Sequence, residues 1–134
     1  MPRLADRFVD ELTRVRQLRK SGKLDEATMI LSGLGREMVA ADLLTLDELD
    51  VPHILDHCGG ADDYDANKVT AAARIFYEQG RLLEALNQNP ERSYRKGFLL
   101  FEYARAKDGT GRLLKPHKEI IPWLEERLNA GVNT

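Results

Sequence analysis

Between Val69 and Phe101 the chain reads VTAAARIFYEQGRLLEALNQNPERSYRKGFLLF. Apolar residues recur there at steps of three and four, the period of a helix face, and never at the alternate spacing of a half-buried strand. A glycine, Gly80, follows an aromatic pair, Phe76-Tyr77, with two residues between, and stands just before Leu82 and Ala85. A similar spacing stands upstream in Ser21-Gly22-Lys23-Leu24-Asp25-Glu26-Ala27. Glycine reaches the left-handed conformation at little cost, so each reads as the turn of a helical hairpin with positive φ at the glycine.

The remaining pattern is also helical. Leu4, Phe8, Leu12, Val15 and Leu18 make one stripe, predicting a helix over 3–20. Ala27, Ile30, Leu31, Leu34 and Met38 predict a second over 24–39, antiparallel to the first because so few residues join them. Gly33 and Gly35 weaken that helix unless close packing or an early end near Gly35 explains them. Thr45-Leu46-Asp47-Glu48 reads as a capping box, and Pro52 fits the first turn of a helix opened at Asp50 or Val51. Gly59-Gly60 ends it, and GGADDYD is the best candidate for a mobile segment. Helices are then expected over 65–79 and 81–88. Asn89-Pro90-Glu91 opens another over 90–107, and an interrupted one around Pro116 and Pro122 stops near Gly131.

The expected fold is therefore all-α, six or seven helices in antiparallel hairpins, with no sheet. Leu18, Leu31, Phe76, Ala85, Phe98 and Phe101 are expected in the core. At 134 residues one domain, 1–134, accommodates it. Its parts are a first hairpin at 3–39, an acidic connection at 42–60, a hairpin plus basic helix at 65–107, and a C-terminal helix at 116–131.

Bulk composition excludes more than it selects. Net charge is -2, against generic nucleic-acid binding. No apolar run approaches the ~18 residues of a membrane span, and MPRLADRFVDEL does not read as a secretory signal. A single cysteine, Cys58, forms no internal disulfide and suits a cytoplasmic setting. No cofactor motif is present; SGLGRE lacks the strand and third glycine of a phosphate loop.

The charges are unevenly placed. From Asp42 to Asp65 there are eight acids and no Lys or Arg; from Glu91 to Lys118 there are eight bases against three acids. The two segments either face each other within one molecule, or point apart and join two molecules or a foreign partner. A solenoid arrangement predicts that they point apart across the hairpin between them, with Tyr77, Tyr103 and Trp123 as the apolar centre of a homo-oligomer.

In Val69, Ala72-Ala73, Phe76, Gly80, Leu82 and Ala85 the central stretch resembles the tetratricopeptide repeat. Tyr94, Gly97 and Phe98 resemble the positions that follow, five residues late. Leu18, Gly22, Leu24, Ala27 and Leu31 form a second, degenerate copy 58 residues upstream. The chain is similar to small bacterial TPR-like domains of no assigned function. The resemblance implies a non-catalytic protein- or peptide-binding scaffold. Its inner surface would be shown by Asn67, Thr70, Arg74, Tyr77 and Glu78, with Tyr77 the anchor.

Two other constellations stand beside it. His53 and His57 share a helix face at i and i+4, next to Asp56 and Cys58, and could grip a metal, yet a site needs three or four ligands. Adjacent residues on a helix point apart, so His57 is badly placed to activate Cys58 as a nucleophile. Tyr94, Phe98, Phe101 and Tyr103 lie among Arg92, Arg95, Lys96, Arg105 and Lys107, a pattern that binds single-stranded nucleic acid when the rings are free. Here helical spacing directs three of the four toward the core.

Overall fold

The computed structural model describes residues 4–60 and 62–132. Seven α-helices account for its order: α1 Leu4–Lys20, α2 Leu24–Val39, α3 Leu43–Glu48, α4 Val51–His57, α5 Ala66–Ala85, α6 Glu91–Lys107 and α7 Ile120–Val132. A 3-10 turn at Lys115–His117 precedes α7, and no strand occurs among the described residues. The all-α expectation holds.

α1 and α2 form the first hairpin. Gly22 sits at φ +78°, Gly22 N–H donates to the Arg19 carbonyl and Lys23 N–H to that of Leu18. This is the Schellman arrangement, which satisfies the last carbonyls of a helix. α2 lies against α5, α5 and α6 make the second and largest hairpin, and α7 covers α6. α3 rests on α2 and α4 on α6, closing one side. Val15, Leu31, Leu46, Ile54, Ile75, Phe76, Leu100, Phe101 and Leu124 are fully buried between these layers.

The second hairpin does not turn where its glycine suggested. α5 runs unbroken through Gly80, which has no positive φ. The turn comes later, at Asn87, φ +59°, with Asn87 N–H donating to the Glu84 carbonyl and Gln88 N–H to that of Leu83. Asparagine is the residue after glycine that best tolerates this conformation. Gly80 answers a different need. A Cβ there would lie 2.2 Å from Cε1 of Tyr94, whose ring fills the space between α5 and α6. Gly97 does the same from the other side, where a Cβ would stand 3.1 Å from the Ala73 carbonyl. Gly35, likewise, lies within an unbroken α2, its missing Cβ 2.4 Å from the Ala41 carbonyl.

Other details shift with that turn. Ala85 is exposed, and Leu18 and Phe98 are only half-buried. The cap of α3 is Asp42, whose carboxylate accepts from Thr45 N–H, so the helix begins ahead of Thr45. Asp50 caps α4 as expected, with Pro52 in its first turn. Asn89 accepts from Glu91 N–H at the start of α6. α7 continues past Gly131 to Val132. Arg3, the Leu4 side chain and Ala61 lie outside the described positions. The flanks of the glycine-rich segment are tied down: Asp65 N–H donates to the Cys58 carbonyl, Tyr64 Oη to that of Tyr103, and Lys107 pairs with Asp63.

The two charged segments face each other inside one molecule. Lys96 Nζ donates to the carbonyls of Asp47 and Leu49 at 2.8 and 2.7 Å, and Arg92 also reaches Asp47 O. The basic helix thus answers the carbonyl end of α3 rather than pointing away from it.

Candidate functional site

The last turns of α1 carry Arg16, Arg19 and Lys20 on one side, because steps of three and four bring residues to a common face. By the same rule Arg74, Tyr77, Glu78 and Arg81 share a face of α5. The 3-10 turn and α7 add Lys115, Pro116, Lys118, Glu119, Ile120 and Trp123. These three stretches enclose a cleft of about 680 Å³. Seven bases and two acids line it.

Glu78 forms the floor and is 2% exposed. Its Oε1 is 3.9 Å from the Arg74 guanidinium, and its Oε2 has no hydrogen-bond partner. Burial pushes the carboxyl upward, opposed by Arg74, then Arg19, Arg81 and Arg16. Nε of Arg19 and of Arg74 are buried donors, also without an acceptor. Arg74 donates from Nη1 to His117 Nδ1 at 3.2 Å, so that nitrogen must be the unprotonated one. Burial, helped by Arg74, holds the His117 imidazole down at about 4.

The aromatic wall is already in use. Tyr77 and Trp123 meet edge to face at 5.5 Å, Trp123 and Tyr94 at 5.2 Å. Arg81 stands over both Trp123 and Tyr77, and Arg127 over Trp123. Tyr94 Oη donates to Glu84, which also receives Arg127. The arginine stacking fixes where the guanidinium forks sit.

Of the five residues the resemblance singled out, Arg74, Tyr77 and Glu78 line this cleft. Tyr77 is half-buried against Trp123, not against the acidic region. Thr70 is buried, with its hydroxyl on the Ala66 carbonyl. Asn67 is exposed near the start of α5, ten positions or ~15 Å of helix before Tyr77. Arg16, Arg19, Lys20 and Arg81 were not read as site residues; Trp123 was read only as part of an oligomer's apolar centre, and Lys115 and Lys118 only as members of the basic segment. The run Arg16-Gln17-Leu18-Arg19-Lys20 was the available signal for α1.

The remaining candidates have other surroundings. His53 and His57 are exposed; His53 Nδ1 is 2.5 Å from Asp50, whose hydrogen bond pushes the imidazole upward. Cys58 is buried and its thiol is pushed up to about 11, so little thiolate exists near neutrality. No group of three or more His, Cys, Asp or Glu stands ready for a metal among the described residues. On α6, Tyr94 and Phe101 are buried, Arg95 pairs with Glu91 and Arg105 with Glu102. No helix among the described residues is long and apolar enough to cross a membrane.

Compared with family models, with curated proteins and with solved structures, the chain matches none.

Proposed function

We propose that the protein is a non-catalytic helical binding module, and that its cleft between α1, α5 and α7 takes an acidic segment of a partner protein. One observation carries this reading. Seven of the bases in a chain of net charge -2 gather around one cleft with only two acids. Guanidinium forks match carboxylates in shape and donor number, which suits an acidic chain. The rings of the cleft, Tyr77 and Trp123, are packed on each other, on Tyr94 and under Arg81, which favours a peptide over a nucleic acid there.

A second depression extends the track. It shares Lys115 and Lys118 with the cleft, adds Arg105 and Arg112, and has Leu114, Ile121 and Pro122 on its apolar side. An extended peptide with several carboxylates can lie across both. The tetratricopeptide-like pattern agrees with a scaffold role, and a cytoplasmic partner fits the single buried thiol.

The test is a titration of a labelled (Asp-Gly)5 peptide followed by anisotropy. Binding should weaken as salt is raised, because exposed charges are screened beyond a Debye length of ~8 Å at physiological ionic strength. The double variant R16E/R19E should lose at least about tenfold in affinity, with an unchanged helical circular-dichroism signal at the titration temperature showing that the fold persists. Equal binding by the double variant would overturn the assignment. A second copy of the chain is the competing occupant, and light scattering at low and high salt detects it.

A further inference from the structure

The floor of the cleft holds a charge of the wrong sign for an anion site. Glu78 is an acid on the face of α5 that carries Arg74 and Arg81, and it is the most buried charged side chain there. An ionised carboxylate in such a place ordinarily accepts two or three hydrogen bonds. Here one oxygen has none and the other has only a guanidinium at 3.9 Å. What balances its charge is the set of cations around it. These are Arg74 and Arg81 on α5 and Arg19 and Arg16 on α1; Lys20, Lys115 and Lys118 line the same cleft. Glu119 lies at the rim, and His117 stands neutral beyond Arg74.

We propose that Glu78 makes capture at this cleft proton-coupled: an anionic group that enters among Arg16, Arg19, Arg74 and Arg81 binds together with a proton taken from solvent onto the Glu78 carboxyl. This rests on the reading of the cleft as an anion site. A ligand carboxylate pairs with the same guanidinium groups that hold Glu78 ionised. Their field at Glu78 is then spent, and a second negative charge has been added nearby. Desolvation, already the largest influence on this carboxyl, is left unopposed. Protonation removes the buried charge, leaving an O–H that can donate where Oε2 now has no partner. The bound state therefore carries one proton more than the free protein and free ligand. By linkage, affinity rises as pH falls and is lost as pH rises. Glu78 sets the affinity of the site without being one of its anion-binding groups.

The experiment is calorimetric titration of the full chain with (Asp-Gly)5, whose carboxylates stay ionised throughout, at pH 6, 7 and 8. Each titration is run in two amine buffers of different ionisation enthalpy. Net proton uptake should appear as a buffer-dependent heat, and affinity should fall with rising pH by at most about tenfold per pH unit. Glu78→Gln keeps the shape and removes the charge. It should bind more tightly than the parent at pH 8, with no pH slope and no buffer-dependent heat. The buffer comparison on the unaltered chain gives the answer even if Glu78→Gln folds poorly. Binding without proton uptake overturns the proposal alone. A slope that persists in Glu78→Gln overturns it by assigning the proton elsewhere, His53 for example. Absence of binding at every pH overturns it together with the reading beneath it.

Discussion

Two groups of cations in this molecule have opposite fates. On α6, Lys96 is 8% exposed and its ammonium holds two carbonyls at the end of α3, while Arg92 reaches one of the same carbonyls and Lys107 an aspartate. Those charges complete the fold. In the cleft, Arg16, Arg19, Lys20, Arg81, Lys115 and Lys118 form no ion pair within 4.0 Å among the described residues, and Arg74 is only loosely paired with Glu78. α1 and α6 each carry five bases in 17 residues, so the density of bases does not separate the two groups. What separates them is how far the protein's own acceptors answer each charge: carbonyls and a carboxylate on the α6 side, at most a phenol, an imidazole or one distant carboxylate in the cleft.

The largest expected effect of that difference is on stability. Lys96→Met takes the charged donor from the Leu49 carbonyl and leaves the Asp47 carbonyl with Arg92 alone, and should cost about 2 kcal/mol in a denaturant titration. Arg16→Met in the cleft should change stability by less than about 0.5 kcal/mol, as exposed charges do. Similar costs at both positions would erase the distinction.

The edge of the cleft should show itself in acid. His117 takes a proton at about 4 in the fold and at 6.5 in the unfolded chain, because it is buried and receives the Arg74 donor. The unfolded state therefore binds more protons between those values, and stability falls as pH is lowered through that window. The contribution from His117 is on the order of 2 kcal/mol lost by pH 5. Replacing His117 with Gln should flatten that part of the pH–stability curve; an unchanged slope would mean the imidazole is not held neutral by its surroundings.

The smallest effects concern glycines, where the same contrast of filled and open space recurs. Gly80→Ala places a Cβ against the Tyr94 ring, itself 1% exposed and anchored to Glu84, and should cost roughly 1–2 kcal/mol after the gain in helix propensity. Gly33→Ala meets nothing nearer than the Arg36 guanidinium at 3.8 Å and should stabilise by about 0.5–1 kcal/mol. Thermal unfolding of the two variants should move in opposite directions.

The glycines also show what the sequence made legible. Helix periods, the Gly22 turn, the Asp50 cap and the Asn89 start are local, and local chemistry reveals them. Gly80 was ambiguous because a turn and a close helix crossing both call for a missing Cβ. Only the position of Tyr94, brought back by the turn at Asn87, decides between them. Ala85 lies outside for the same reason: with α5 continuous through Gly80, the residue falls at the end of a helix instead of the middle of one. Three of the five residues chosen for the inner surface do line the cleft, since helical spacing alone relates Arg74, Tyr77 and Glu78. Their partners on α1 and α7 come from 58 residues before Arg74 and 49 after it, Arg16 and Trp123 respectively, a proximity that no local pattern encodes.

Trp123 is the chain's single tryptophan and lines the cleft, which makes its fluorescence the most direct report of occupancy. The measurement is the emission of the parent, of R16E/R19E and of Arg95→Glu during titration with (Asp-Gly)5 at low salt. The expected result is a saturable change in the parent and in Arg95→Glu, lost in R16E/R19E and reversed by added salt. A change abolished by Arg95→Glu and retained in R16E/R19E would place the acidic ligand on α6, and no change in any of the three would leave the cleft without the role assigned to it.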